Sequence, residues 1–212
     1  MNKPLNPTNN SYDVLGIRYA HFQKLFLDMR YYMPISEKSK LVYRIAGGVG
    51  VPRTNLREAL PFEKSFYSGG ANGMRAWKAR SLGPGSYYDS LQRFDKIGDI
   101  QIEGNLELRF PLSSWIEGAL FVDMGNVWLL REDSIRTQGQ FTKENFLNEI
   151  AVGSGIGLRL NLDFFIIRVD VAMPIKNPAV SIANNRWVFG KSADDRQKYY
   201  PVQFNLGIGY PF

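Results

Sequence analysis

The chain is predicted to be all-β, a transmembrane antiparallel β-barrel, on three observations. Apolar and polar residues alternate with period two from Phe22 onward, most alternating stretches run 11 to 15 residues, and short connections alternate with long ones. Period two marks strands whose two faces meet different surroundings, and a usual globular strand has only about 5–6 residues. Strands of about 10 residues, joined by short turns at one end and long loops at the other, are the pattern of an outer-membrane barrel.

The elements follow in order. "FQKLFLDMRYYMP" sets Leu25, Leu27, Met29, Tyr31 and Met33 against Phe26, Asp28, Arg30 and Tyr32. "LVYRIAGGVGV" sets Leu41, Tyr43, Ile45, Val49 and Val51 against Val42, Arg44, Ala46, Gly48 and Gly50. In "DIQIEGNLELRFPL" the apolar face is Ile100, Ile102, Leu106, Leu108, Phe110 and Leu112, and the polar face is Gln101, Glu103, Asn105, Glu107 and Arg109. "WIEGALFVDMGNVW" continues the pattern, with Glu117, Phe121 and Asp123 opposite Leu120, Val122 and Met124. "EIAVGSGIGLRLN", "FFIIRVDVAMPI" and "PVQFNLGIGYPF" complete seven strands, the last spanning about 202–212. The short connections are "ISEKS", "SS" and "NLD"; the long ones cover about 52–97, 129–148 and 176–200.

A soluble β-sandwich also alternates, but its polar face looks to bulk water. Here the polar face carries Arg, Asp, Glu, Asn and Gly with almost no Lys, as a crowded, charge-paired interior would. Asp28, Glu103, Glu107, Glu117, Asp123 and Asp170 face Arg30, Arg44, Arg109, Arg159 and Arg168, with Arg75 added by a loop. A selective pore tends to a single-signed constriction, so this balance indicates a plugged barrel. Tyr31, Tyr32, Phe110, Trp115, Trp128, Tyr210 and Phe212 lie near strand ends, where an interfacial aromatic girdle is expected.

Composition narrows the chemistry. The 26 basic and 20 acidic residues give a net charge of +6, but the charges are interspersed and no basic run carries interleaved aromatics, so no nucleic-acid partner is expected. With no cysteine and one histidine, His21, read as a loop-edge residue, neither a catalytic site nor a metal site is expected, and no cofactor. No segment has the ~20 continuous apolar residues of a membrane helix; the most apolar run is broken by Arg168 and Asp170. The opening "MNKPLNPTNNSYDV" has no apolar core, so it does not read as a signal peptide.

The stretch "FYSGGANGMRAWKARSLGPGS", Phe66 to Ser86, has five glycines and no apolar periodicity, yet sits between clear strands. Its "GMRAW" (Gly73, Met74, Arg75, Ala76, Trp77) is followed by "GNLELRFPL", "FVDMGNVW" and "GSGIGLRL…FFIIRVDVAMPI" with a final Phe212. In this order and with these loop lengths, the set resembles the C-terminal half of the BamA/TamA family of outer-membrane assembly and translocation barrels (the bacterial surface antigen family). The likeness runs from about Phe22 to Phe212 and is closest to TamA-like members of Bacteroidetes-type bacteria. "GMRAW" stands where the family has Val-Arg-Gly-Phe/Tyr in its sixth extracellular loop, with Met74 for the valine and Ala76 for the glycine. Alanine would resist a positive φ that glycine tolerates.

The resemblance implies several things. The protein is placed in the bacterial outer membrane, with about 7–8 strands of a barrel of about sixteen here and about nine more upstream. Seven strands cannot close alone, because open edges in lipid leave backbone groups unpaired. The chain therefore reads as a fragment of a longer product, or as a partial barrel that copies complete edge to edge. Residues 52–97 are the long lumen-inserting loop; 1–20 read as a loop or terminus, with an eighth strand the other reading.

Arg75 is expected to meet Glu107 and Asp123 on the inner wall, both of which period two places on the polar face, with Glu103 as a third partner near Asp123 across the hairpin. Asn205, Gly207, Tyr210 and Phe212 match the family's C-terminal insertion signal, and Gly207, Gly209 and Pro211 are expected to weaken that strand. The implied function is to insert or export client proteins through a seam at this strand, with no bond broken. Partners would be outer-membrane lipids, client outer-membrane or secreted proteins, and periplasmic accessory proteins. A passive porin-like barrel and a membrane enzyme barrel are the alternatives.

Overall fold

The computed structural model describes residues 5–6, 11–14, 17–53, 60–89, 96–181 and 185–212, with the side chains described from Tyr19 onward. Its centre is one antiparallel sheet of seven strands: β1 (Phe22–Pro34), β2 (Lys40–Pro52), β3 (Ile100–Pro111), β4 (Ile116–Trp128), β5 (Ala151–Asn161), β6 (Ile166–Lys176) and β7 (Gln203–Ile208). Each strand pairs with the one before it in the chain, so the sheet is a simple meander with β1 and β7 as its two edges. Residues 5–6, 11–14 and 17–18 form a small ribbon that pairs within itself, outside this sheet. The "NPTNNS" loop expected in this segment falls mainly on 7–10, outside the described residues.

The three short connections are closed by their own polar residues. Ser36 Oγ accepts from the Ser39 N–H at 3.1 Å, Ser113 Oγ from Ile116 at 3.2 Å, and Asn161 Oδ1 from Asp163 at 3.2 Å. Side chains that bond locally to the backbone in this way make tight turns self-sufficient. At the opposite end of the sheet, the described parts of the long connections 53–99, 129–150 and 177–202 meet, through Ser86, Glu149 and Arg186.

Alternation sorts the side chains as the sequence indicates. Leu25, Leu27, Met29, Ile45, Ile156, Phe204, Leu206 and Ile208 are exposed on the outer face, whereas Arg44, Glu103, Glu107, Arg109, Asp123, Arg159, Arg168 and Asp170 are buried on the inner one. Inverted burial of this kind suits a sheet with lipid outside and a filled lumen inside.

Two expectations need correction. β7 stops at Ile208 because Gly209 adopts φ +80°, and the three residues beyond it leave the strand. Trp128 and Phe212 are buried, at 0% and 5% exposure, and so take no part in an outer aromatic girdle; Tyr31 and Trp115 are exposed. Trp128 instead packs edge-on against Phe141 and donates Nε1–H to Glu149 at 2.7 Å.

Ile45 lies mid-strand on the outer face. In the full-length protein folded into lipid vesicles, Ile45→Arg should cost about 2–4 kcal/mol in a denaturant titration, while Ile45→Val should change little.

Candidate functional site

The long loop after β2 turns inward. A two-pair ribbon joins Phe66–Tyr67 to Ile97–Gly98, and Gly69 and Gly70, both at positive φ, reverse the chain toward the sheet. The Gly70 N–H donates to the Trp77 carbonyl at 2.8 Å and Trp77 N–H to Met74 at 3.1 Å, so residues 70–77 form a compact bend with "MRA" at its tip. Met74, Ala76, Trp77 and Leu82 pack with Phe121, Ala151 and Ala172 of the inner wall. Among the described residues the non-glycine ones at positive φ are Arg80, Gln138, Asp163 and Asn185, so Ala76 sits in the bend without the strain its substitution for glycine suggested. A Cβ on Gly153 would stand 2.5 Å from that of Ala76; the methyl occupies the space glycine leaves on β5.

Arg75 is fully buried. Its Nε and Nη2 donate side by side to Asp123, both at 2.9 Å, its own backbone N–H reaches Asp123 Oδ2 at 3.1 Å, and Nη1 bonds Glu107. The guanidinium lies 3.4 Å from the centroid of the Phe121 ring, with the Phe212 ring 5.5 Å away. A planar fork with paired carboxylate contacts and a stacked ring is a geometry that arginine alone among the side chains can satisfy.

The acids are shared. Glu107 also receives Arg109 Nε at 2.6 Å and Arg159 Nη2 at 3.1 Å, and Asp170 receives Arg159 Nη1, with Arg168 Nε 3.6 Å away. Arg168 reaches back to the loop, donating to the Ala71 carbonyl at 2.9 Å and Asn72 Oδ1 at 2.8 Å.

Glu103 is placed differently from the expectation. The β3–β4 register sets Asn105, not Glu103, opposite Asp123, and Asn105 donates to Asp123 at 2.8 Å. Glu103 instead receives Arg44 at 3.2 Å and Ser68 Oγ at 2.8 Å, and lies close enough to Gly73 that a Cβ there would come within 3.0 Å of its carboxylate. It holds the neck of the loop rather than the arginine.

At the C-terminal strand, Asn205 faces inward and donates to the Arg75 carbonyl at 2.9 Å. Gly207 is where the Arg168 guanidinium lies on the backbone; a Cβ would meet Nη2 at 2.5 Å. Gly209 turns the chain so that Tyr210 Oη donates to Glu117 at 2.7 Å and Arg109 donates to the Phe212 carbonyl at 3.2 Å. Burial and the Glu117 contact push the Tyr210 pKa up to about 12, so the hydroxyl keeps the proton it donates. Sequence reasoning placed Asn105, Arg159 and Phe121 on the inner face but did not assign them to Arg75, Glu107 or Asp123 as partners. It also missed Glu149, Ser86 and Arg186, which tie the three long loops together through Ser86 Oγ, 3.3 Å from Glu149 and 2.8 Å from Arg186.

Comparison with known proteins follows this geometry. Residues 1–212 match the Omp85 superfamily domain. The chain belongs to the Omp85 superfamily. Members of the Omp85 superfamily are bacterial outer-membrane proteins, and the sheet described above is part of such a β-barrel. The chain is 26% identical over 184 residues to the outer membrane protein assembly factor BamA of Neisseria meningitidis serogroup B, covering 78% of this chain and 20% of that protein. It is also similar in fold to the crystal structure of BamA from Haemophilus ducreyi lacking POTRA domains 1–3, with a TM-score of 0.58 and 17% identity, covering 89% of this chain and 35% of the other. The chain thus spans well under half the length of either relative.

Arg75→Ala would leave Glu107 and Asp123 buried without their shared cation and should cost about 3–5 kcal/mol. Arg75→Lys should recover only part of that, read as the temperature at which the folded band of the full-length protein is lost on a semi-native gel. Separately, Gly153→Ala should cost about 1–3 kcal/mol by overpacking. Combining it with Ala76→Gly should restore part of the loss in the same gel.

Proposed function

We propose that this chain is the closing part of an outer-membrane barrel that assembles client proteins, inserting or exporting them past a seam at β7. One observation carries the reading: β7 has only six residues against eleven in β6, the strand it pairs with, and its Phe204, Leu206 and Ile208 are exposed on the outward face. A strand held by so short a ladder is easily parted from its neighbour, and an edge so freed is a template for another strand, since an edge in the bilayer cannot be left bare. In this reading, outer-membrane lipids cover the outward face, client outer-membrane or secreted proteins meet the edge, and periplasmic accessory proteins assist.

The Arg75–Glu107–Asp123 cluster is the proposed lock that keeps the loop in the lumen. The lumen so filled favours this reading over a diffusion pore, since loop residues Met74 to Trp77 occupy the inner wall. No bond-breaking step belongs to the proposed activity. The finer placement, among TamA-like members of Bacteroidetes-type bacteria, rests on the motif set alone.

The test is a reversible disulfide between β7 and the strand that faces it across the seam in the full-length protein. Client insertion into proteoliposomes should fall when the bond is closed and return on reduction; undiminished insertion with the seam locked would refute the proposal.

A further inference from the structure

We infer that the loop arginine and the seam strand are one coupled element: Asn205 and Phe212 join β7 to Arg75, so the loop's docking sets how firmly β7 is held. The inference rests on the seam proposed above, and extends it to how the seam is controlled.

The argument starts from how little else holds β7. Its ladder to β6 has six residue pairs, where β5 and β6 share ten. Phe204, Leu206 and Ile208 point outward and are exposed, so they contribute no protein packing that would fix the strand. The remaining contacts are inward, and they converge on the loop. Asn205 Nδ2 donates to the Arg75 carbonyl at 2.9 Å. Arg168, lying against Gly207, holds the loop at Ala71 and Asn72. Beyond the turn at Gly209, the Phe212 ring stands 5.5 Å from the Arg75 guanidinium and 5.9 Å from that of Arg109, and the Tyr210 ring lies 4.1 Å from Arg109.

Arg75 therefore faces both ways. Its guanidinium is fastened to β3 and β4 through Glu107 and Asp123, while its carbonyl receives β7 and its guanidinium faces the Phe212 ring of the tail. Withdrawing the loop removes the Asn205 acceptor, the seat of Phe212 and two partners of Arg168 together. What is left to β7 on this side is its short ladder to β6. The converse also holds, because coupling between two sites is reciprocal: a strand recruited away from β6 takes Asn205 with it and loosens the loop.

The test is amide hydrogen exchange on the full-length protein in lipid nanodiscs, with heat-shifted gel mobility checking that each variant is folded. Arg75→Lys should speed exchange of the 203–208 amides by about tenfold, and Asn205→Leu should speed exchange of the 71–76 amides by a similar factor. The double variant should show less than the product of the two effects. Phe204→Leu, on the lipid face of the same strand, should leave the loop amides unchanged. If Arg75→Lys fails to fold, the Asn205→Leu and Phe204→Leu pair decides alone. Exchange that rises only in the mutated segment, or a loop that responds to Phe204→Leu as it does to Asn205→Leu, would overturn the coupling. Client insertion measured on the same samples reads the seam separately: coupled exchange with insertion undiminished by a locked seam would keep this inference and discard the other.

Discussion

The structure depends on a guanidinium held entirely out of water. A buried cation is tolerable only when carboxylates surround it and its donors are satisfied, and Arg75 meets both conditions at one place on the inner wall. Asp123 takes its fork and backbone, Glu107 takes its remaining face, and Phe121 lies beneath it. A bend with "MRA" at its tip has no other seat on this sheet where those partners coincide. The loop's position is therefore a consequence of charge pairing more than of its own backbone.

Sharing of the acids spreads that constraint. Glu107 serves Arg75, Arg109 and Arg159, and Asp170 serves Arg159 with Arg168 close by, so residues on the loop and on β3, β5 and β6 belong to one network. Removing a member exposes the others to an unbalanced, poorly solvated field. Glycines complete the fit where a side chain would collide: Gly73 beside the Glu103 carboxylate and Gly153 beneath the Ala76 methyl. Above this layer the three long loops are tied by Glu149, Ser86, Arg186 and Asn126, the last donating to both the Gly85 and Glu149 carbonyls at 2.9 and 2.6 Å. The inner face of the described sheet is thus covered by the loop and its neighbours.

The C-terminal strand joins this core by its side chains more than by its ladder. Its outer residues are apolar and exposed, its ladder is short, and its inner residues meet the loop and Arg168.

Strands, faces and most of the charge cluster were legible in the sequence, because lipid and lumen demand opposite chemistry and period two maps each residue to one of them. Glu107 and Asp123 could be placed on the inner wall in this way. What alternation cannot supply is register. The turn after β3 closes with Leu112 bonded to Ile116, pairing Pro111 with Glu117, and this sets Asn105 across from Asp123 while Glu103 falls opposite Gly125. A register two residues away from the expected one places Glu103 with Arg44 instead of the loop arginine. Nor does alternation register a change of direction: it continues through Tyr210 and Phe212 as if both faced lipid, but Gly209 at φ +80° turns them inward. A sequence pattern records which medium each residue of a straight strand meets; where a strand ends, and which neighbour it meets across a turn, is decided by backbone geometry and contacts remote in the chain.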